Sequence, residues 1–199
     1  MNVVRDRIAR RAAALVASGR ERDLHRAIRI AAETLGFTRD APLPSDAEVR
    51  RHLQGIAQES LGDAGYRDLV RSTLALAAET METLERAFGA RTLLCGRGAR
   101  GQFDGGAELH VRLYARAELS AIAQLLVDSG FDEPSFETVD TAHGRANRLR
   151  TEQGGVELVV TRCLPEWWDG RDLDLVTGRR ATVRTLDQVR SAAQDPAGN

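Results

Sequence analysis

The spacing of apolar residues changes character once along this chain. Up to about residue 88 it has the period of a helix. Leu24, Ala27, Ile28, Ala31 and Leu35 fall on one face, opposite Arg22, Arg26, Arg29 and Glu33, and Gly36 follows as a stop. Pro42 and Pro44 break the pattern, and Ser45 with Glu48 forms a capping box ahead of Val49, Leu53 and Ile56. After an interruption at Gly62 to Gly65, one stripe runs through Tyr66, Leu69, Val70, Leu74, Ala77, Met81, Leu84 and Phe88. Unbroken, that helix is about 34 Å long.

Beyond Gly89 the period shortens to two. Thr92–Cys95 reads as a buried strand, and a glycine-rich stretch runs from Gly96 to Gly106. Glu108–Tyr114 then alternates, with Leu109, Val111 and Leu113 on one face and Glu108, His110, Arg112 and Tyr114 on the other. Leu119 to Val127 is an amphipathic helix closed by Gly130. Arg145–Glu152 and Val156–Cys163 flank Gln153-Gly154-Gly155 as a hairpin. A loop with Trp167 and Trp168 leads to a strand at Ala181–Arg184 and a helix from Leu186 to Ala193. The predicted class is α+β: a helical domain over 1–88, a small mixed-sheet domain over 89–194 and a frayed tail over 195–199.

Composition narrows the chemistry. The 199 residues hold 28 basic and 29 acidic side chains, and every basic one is Arg. A chain without Lys has no P-loop lysine, no Schiff-base lysine and no kinase lysine. The near-zero net charge argues against coating nucleic acid or an anionic membrane. Two distant Cys cannot frame a disulfide scaffold, and they point to a reducing, cytoplasmic setting. The apolar run Ala12–Ala17 is too short for an export signal or a membrane span.

Several motifs compete for attention. Gly96-Arg97-Gly98-Ala99-Arg100-Gly101 spells GxGxxG after a strand, but a dinucleotide site needs a helix to open there, and Gly105-Gly106 is poor helix material. The alternatives are a flexible loop or an arginine-bearing loop that contacts phosphate. Ala31 to Gly36 is followed by too long a connection, Phe37–Ser45, for a helix-turn-helix. His25 and His52 read as solvent-facing or capping groups. His110 shares a strand face with Glu108, and Glu157 supplies a third acid; together they make either a ligand set or a solvated sheet face. Asp172-Leu173-Asp174 lies in a loop with no strand placed to complete it. Trp167-Trp168 suits a lid, and Cys95 and Cys163 read as buried hydrophobes.

From Leu93 to Val189 the order of pieces resembles the minimal nucleotidyltransferase superfamily, with its polymerase-β-like fold. Leu94-Cys95-Gly96 stands for the family's apolar-Gly element, Glu108-Leu109-His110-Val111 for its acid-x-acid strand, and Ala121–Phe131 for the helix that follows. Val156-Glu157-Leu158-Val159-Val160 stands for the strand of the third acid, and Thr177-Gly178-Arg179 through Val183, then Leu186–Val189, for the closing element. The whole chain, with Arg10-Arg11-Ala12-Ala13 and Leu43-Pro44-Ser45, is also similar to a proteobacterial group with a nucleotidyltransferase-like C-terminal half. The sequence departs from the pattern at Arg97, where the family carries Ser or Gly, and at His110, where it carries a carboxylate.

The resemblance implies that Glu108, His110 and Glu157 are the catalytic and metal-ligating positions. It implies that Gly96, Arg97, Gly98 and Arg100 meet a nucleotide's phosphates. A His in the ligand set favours Mn²⁺ or Zn²⁺ over Mg²⁺. The resulting expectation is a nucleotide- or partner-binding module of weak or silent activity. Its alternative is an active metal-dependent nucleotidyltransferase that modifies RNA, protein or a small molecule. The Arg-rich N-terminal helices (Arg5, Arg7, Arg10, Arg11, Arg20, Arg22, Arg26, Arg29) are the surface expected to meet an RNA or protein partner, and no membrane role is expected.

Overall fold

A computed structural model describes residues 3–21, 23–37, 41–103 and 106–195. Arg22 of the basic face, Gly105 of the glycine stretch, part of the 37–45 connection and residues 196–199 of the tail lie outside them. The class is α+β, with helices first and a six-stranded mixed sheet after. The chain forms two compact units, Met1–Tyr66 and Arg67–Asn199.

The first unit packs α1 (Val3–Ala17), α2 (Leu24–Thr34) and the start of α3 (Asp46–Phe88). Its core is Ile8, Ala9, Ala12, Ala13 and Leu15 of α1, Ala27, Ile28, Ala31 and Ala32 of α2, and Val49 and Leu53 of α3. Alanine at so many contact positions lets the helix axes approach closely. Asp23 caps α2 by accepting from the Arg26 amide at 2.7 Å. The capping box at α3 is formed, with the Glu48 carboxylate accepting from the Ser45 amide at 2.8 Å. The predicted interruption is a single residue: Gly62 leaves the helix at φ 67°, ψ 168°, and helical geometry resumes after it.

One expectation for this unit is corrected. His52 is neither isolated nor solvent-facing, because its Nε2 lies 3.0 Å from Asp6 Oδ1 and three quarters of its side chain is covered. The basic helices carry paired acids. Arg5 pairs with Glu48 at 2.7 Å, Arg10 with Asp6 at 3.0 Å and Arg26 with Glu21 at 3.0 Å.

In the second unit the sheet runs β3-β4-β5-β2-β1-β6. The strands are β1 (Arg91–Cys95), β2 (Ala107–Tyr114), β3 (Ser135–Thr141), β4 (Gly144–Gln153), β5 (Val156–Cys163) and β6 (Val183–Arg184). Only β2 and β5 pair in parallel; the other pairs are antiparallel. Register places Leu94, Val111, Val160 and Leu149 in one row across the sheet, all buried. Gly154 and Gly155, at φ 58° and 80°, close the β4–β5 hairpin in a two-residue turn that demands positive φ twice. The remaining helices are α4 (Gly96–Ala99), α5 (Leu119–Asp128) and α6 (Leu186–Gln194). The later part of α3 is fastened to β1 through Glu85, which accepts from the Thr92 amide and hydroxyl at 2.8 Å, and to α6 through Glu82 and Arg190 at 2.8 Å.

Three features depart from the pattern. β3 was not expected; as an edge strand it leaves nearly all its side chains exposed, so no buried set marked it. The last strand is Val183–Arg184, shorter than the expected Ala181–Arg184. The glycine stretch opens with one helical turn, Gly96–Ala99, closed by Arg100 and Gly101 amides on the Arg97 and Gly98 carbonyls at 2.9 and 3.0 Å. A four-residue turn has too few aligned peptides to hold a pyrophosphate as a dinucleotide helix does.

Candidate functional site

The registers of β1, β2, β4 and β5 assign one sheet face. Glu108, His110, Arg112 and Tyr114 of β2 stand beside Glu157, Val159, Thr161 and Cys163 of β5. Arg148 and Arg150 of β4 adjoin Thr161 and Val159, and Leu93 and Cys95 of β1 adjoin Arg112 and His110. This face has a covered end and an open end.

At the covered end Arg112 and Tyr114, polar members of the alternating strand, are 5% and 4% exposed. The chain leaving β5 crosses them as a 3-10 turn, Pro165–Gly170, and the loop to β6. Trp168 meets Tyr114 edge-on at 5.0 Å and carries the guanidiniums of Arg91 and Arg171 at 4.9 and 5.1 Å from its ring. Leu93, Cys95, Tyr114, Cys163 and Leu175 form the core beneath. Trp168 therefore acts as a lid on a small core, and the lid's backbone satisfies part of the buried cation, because Arg112 donates to the Arg171 carbonyl at 3.0 Å. Burial pushes Cys95 up to about 11 and Cys163 up to about 12. Neither thiol is a nucleophile in this setting.

Asp174 is fixed in the same loop. Burial pulls its carboxyl upward, but hydrogen bonds from the Thr177 amide and hydroxyl and the Val176 amide outweigh it, so it titrates below its ordinary value. It organises a turn. Leu173 bridges Arg180, and the strand that follows, Val183–Arg184, brings no carboxylate to this acidic pair.

At the open end the three predicted residues do come together. Glu108 and Glu157 are direct register partners on adjacent parallel strands, and His110 Nε2 lies 3.1 Å from Glu108 Oε1. What the sequence did not reveal is Arg150. Its guanidinium bonds Glu157 and reaches to 3.9 Å from Glu108 Oε1, so one internal cation stands against both acids. All four side chains are about two-fifths exposed, and Val159 beneath them is fully buried. Among the described residues no three His, Cys, Asp or Glu side chains are arranged to hold a metal ion. With Arg150 placed so, the set does not fit a divalent cation.

The nucleotide-binding candidates lie on α4 and its C-cap, Arg100. Gly98 is buried, and a Cβ there would sit 3.4 Å from the Glu108 carbonyl and from Leu109, which ties the turn to the strand of the acids. Gly96 donates its amide to the Thr182 carbonyl at 2.8 Å at φ 67°. Arg100 is exposed but committed, donating to Gln102 Oε1 at 3.0 Å and Thr182 Oγ1 at 3.2 Å. Arg97 is half-buried on the first turn.

Compared with known proteins, the chain matches no family model, and no curated protein matches it either. Among the described residues no helix is long and apolar enough to cross a membrane.

Proposed function

We propose that the sheet unit is a nucleotidyltransferase-like scaffold that binds a nucleotide and transfers nothing from it. The observation that carries this reading is the placement of Arg150 against the register pair Glu108–Glu157. The element order supports the scaffold. An apolar strand followed by Gly96 precedes the strand of Glu108, and a helix and the β3–β4 pair separate it from the parallel strand of Glu157. The chemistry supports silence. Phosphoryl transfer between bound metal ions needs anionic oxygens free to hold those ions against the phosphates. Here one acid is paired to a guanidinium, the other faces His110, and a nitrogen stands where a second carboxylate would be. The phosphate contacts fall to Arg97 and Arg100 at the turn beside Glu108.

The test is incubation of the purified chain with labelled nucleoside triphosphates, Mg²⁺, Mn²⁺ or Zn²⁺, and cell RNA or protein extract. Saturable nucleotide binding that weakens in Arg100→Ala, with no transferred label, is the expected result. Mg²⁺-dependent labelling that disappears in Glu108→Ala and Glu157→Ala would make the chain an active transferase.

A further inference from the structure

β3 is one end of the sheet, and among the described residues its only strand neighbour is β4. Open edges are ordinarily kept short, bulged or broken by proline, because unpaired amides and carbonyls template further strands. β3 lacks those devices. Its residues pair with β4 without a break, from Ser135 opposite Arg150 to Thr141 opposite Gly144. The strand is also held at both ends. The Ala142 amide donates to the Leu175 carbonyl at 2.8 Å, and His143 stacks on Trp167 at 5.3 Å. At the other end the Asp132 amide donates to the Glu152 carbonyl at 2.9 Å. A partner strand would therefore meet a preformed edge, at little ordering cost on this side.

Ala142 and His143 form a two-residue loop, which closes on a hydrogen-bonded pair, here Thr141 and Gly144. Counting back by twos, Val139, Glu137 and Ser135 turn their backbone groups to β4, and Asp140, Thr138 and Phe136 turn theirs outward. The next outward position, Pro134, has no amide and bounds the edge. Two side-chain properties then select the occupant. Phe136 is the register partner of Leu149, so it extends the buried row of Leu94, Val111, Val160 and Leu149, yet it is 57% exposed. The acids of β3 are already answered within the chain, Glu137 by Arg148 at 3.6 Å and Asp140 by Arg145 at 3.5 Å. The edge thus presents an apolar anchor and calls for no charged partner.

We infer that β3 pairs antiparallel with β3 of a second copy of this chain, about a two-fold axis at Thr138. That register pairs the strand over its full length, Ser135 against Thr141, and joins the outward groups of Phe136, Thr138 and Asp140 to those of the second copy. Each acid then stands opposite an apolar side chain, Glu137 opposite Val139 and Asp140 opposite Phe136. A slip centred on Glu137 or on Asp140 would set like charges against each other. The contact uses the same patch on both copies, so it closes at two. This inference does not rest on the nucleotide reading, because it uses neither Glu108 nor Glu157.

The experiment is sedimentation equilibrium of the full chain from about 1 to about 100 µM, a range that brackets a micromolar Kd. A monomer–dimer equilibrium is expected. Phe136→Glu sets a carboxylate against Asp140 of the second copy, whereas Phe136→Lys sets a cation there. Both change an exposed side chain and leave the β4 ladder in place. The Glu variant should dimerise about tenfold or more weakly than the Lys variant, because symmetry repeats the contact twice. The axis is read by mild oxidation. Hydrogen-bonded strand partners have Cα atoms about 5.5 Å apart, within disulfide reach, so Thr138→Cys should cross-link to itself well ahead of Phe136→Cys. The native Cys95 and Cys163 are buried and stay out of that reaction. A monomer throughout the range, assemblies that keep growing with concentration, or equal effects of Glu and Lys would overturn the inference. Cross-linking of Phe136→Cys ahead of Thr138→Cys would also overturn it, since that belongs to another register.

Discussion

Replacing Arg150 with Met is the most informative perturbation of the sheet face. The guanidinium bonds Glu157 and lies 3.9 Å from Glu108, so its removal deletes two attractions and leaves two carboxylates side by side on adjacent strands. Unit charges about 4 Å apart interact by about 1 kcal/mol in water and by several times that in a less polar setting. Side chains 38% and 42% exposed belong nearer the first figure. Arg150→Met should therefore cost about 1 kcal/mol at pH 7. The same change should create a cation site from Glu108, His110 and Glu157. A ligand at a hundred times its Kd stabilises by about 2.7 kcal/mol, enough to reverse the loss. The assay is urea unfolding of both proteins with and without 1 mM-scale (roughly a hundredfold over a ten-micromolar Kd) Mn²⁺, Zn²⁺ or Mg²⁺. Cation stabilisation should appear in Arg150→Met, follow Mn²⁺ or Zn²⁺ ahead of Mg²⁺ because His110 contributes nitrogen, and vanish when Glu157→Gln is added. A variant as indifferent to cations as the parent chain, or a parent chain that already responds, would refute the claim that Arg150 fills the place of a metal.

Two further predictions address the cores. Cys95 and Cys163, raised to about 11 and about 12 by burial, should resist a thiol reagent at pH 8 in the native chain and react promptly in denaturant; fast native labelling of either would contradict the lid built on Trp168. In the helical unit, hydrogen bonds from the Ser45 amide and hydroxyl lower Glu48 from 4.5 to about 2. A folded value below the unfolded one stabilises fully above pH 4.5 and is lost as pH falls toward 2. Glu48→Gln keeps a capping partner without the charge, so its deficit should be constant at neutral pH and fade over that acidic window, while Ser45→Ala should cost about 0.5–2 kcal/mol. A Glu48→Gln deficit that persisted at pH 2 would refute the charge argument.

What the sequence revealed tracks what local spacing can encode. The stripe from Val70 to Leu84, the capping box at Ser45, the break at Gly62 and the Gly154-Gly155 turn each depend on neighbours within a few residues, and all are present. β3 was invisible because a strand at the rim buries nothing, and Ser-Phe-Glu-Thr-Val-Asp-Thr carries no one-sided apolar set. The cover over part of the polar face of β2 was invisible for a complementary reason. Alternation separates two faces but says nothing of what lies over each, and Arg112 and Tyr114 are covered by residues more than fifty positions later.

The same limit explains why Glu108, His110 and Glu157 were found together while Arg150 was missed. The first three follow from strand phase alone once β2 and β5 are neighbours. Arg150 belongs to that site only because β4 pairs with β5 antiparallel, which sets Arg150 opposite Val159, one same-face step from Glu157. In the sequence it is one arginine among three in Arg145–Arg150, and Arg145 and Arg148 pair with Asp140 and Glu137 of the edge strand. Each arginine of β4 thus neutralises an acid on a neighbouring strand, and the ladder works outward to the rim as well as inward to the candidate site. If that ladder chiefly stabilises the sheet, Arg145→Met and Arg150→Met should cost similar amounts. If Arg150 has replaced a metal, only Arg150→Met should gain a response to Mn²⁺. The second outcome follows from geometry, because at Glu108 and Glu157 two carboxylates stand in register with a histidine beside them, while Arg145 faces a single acid on the edge strand.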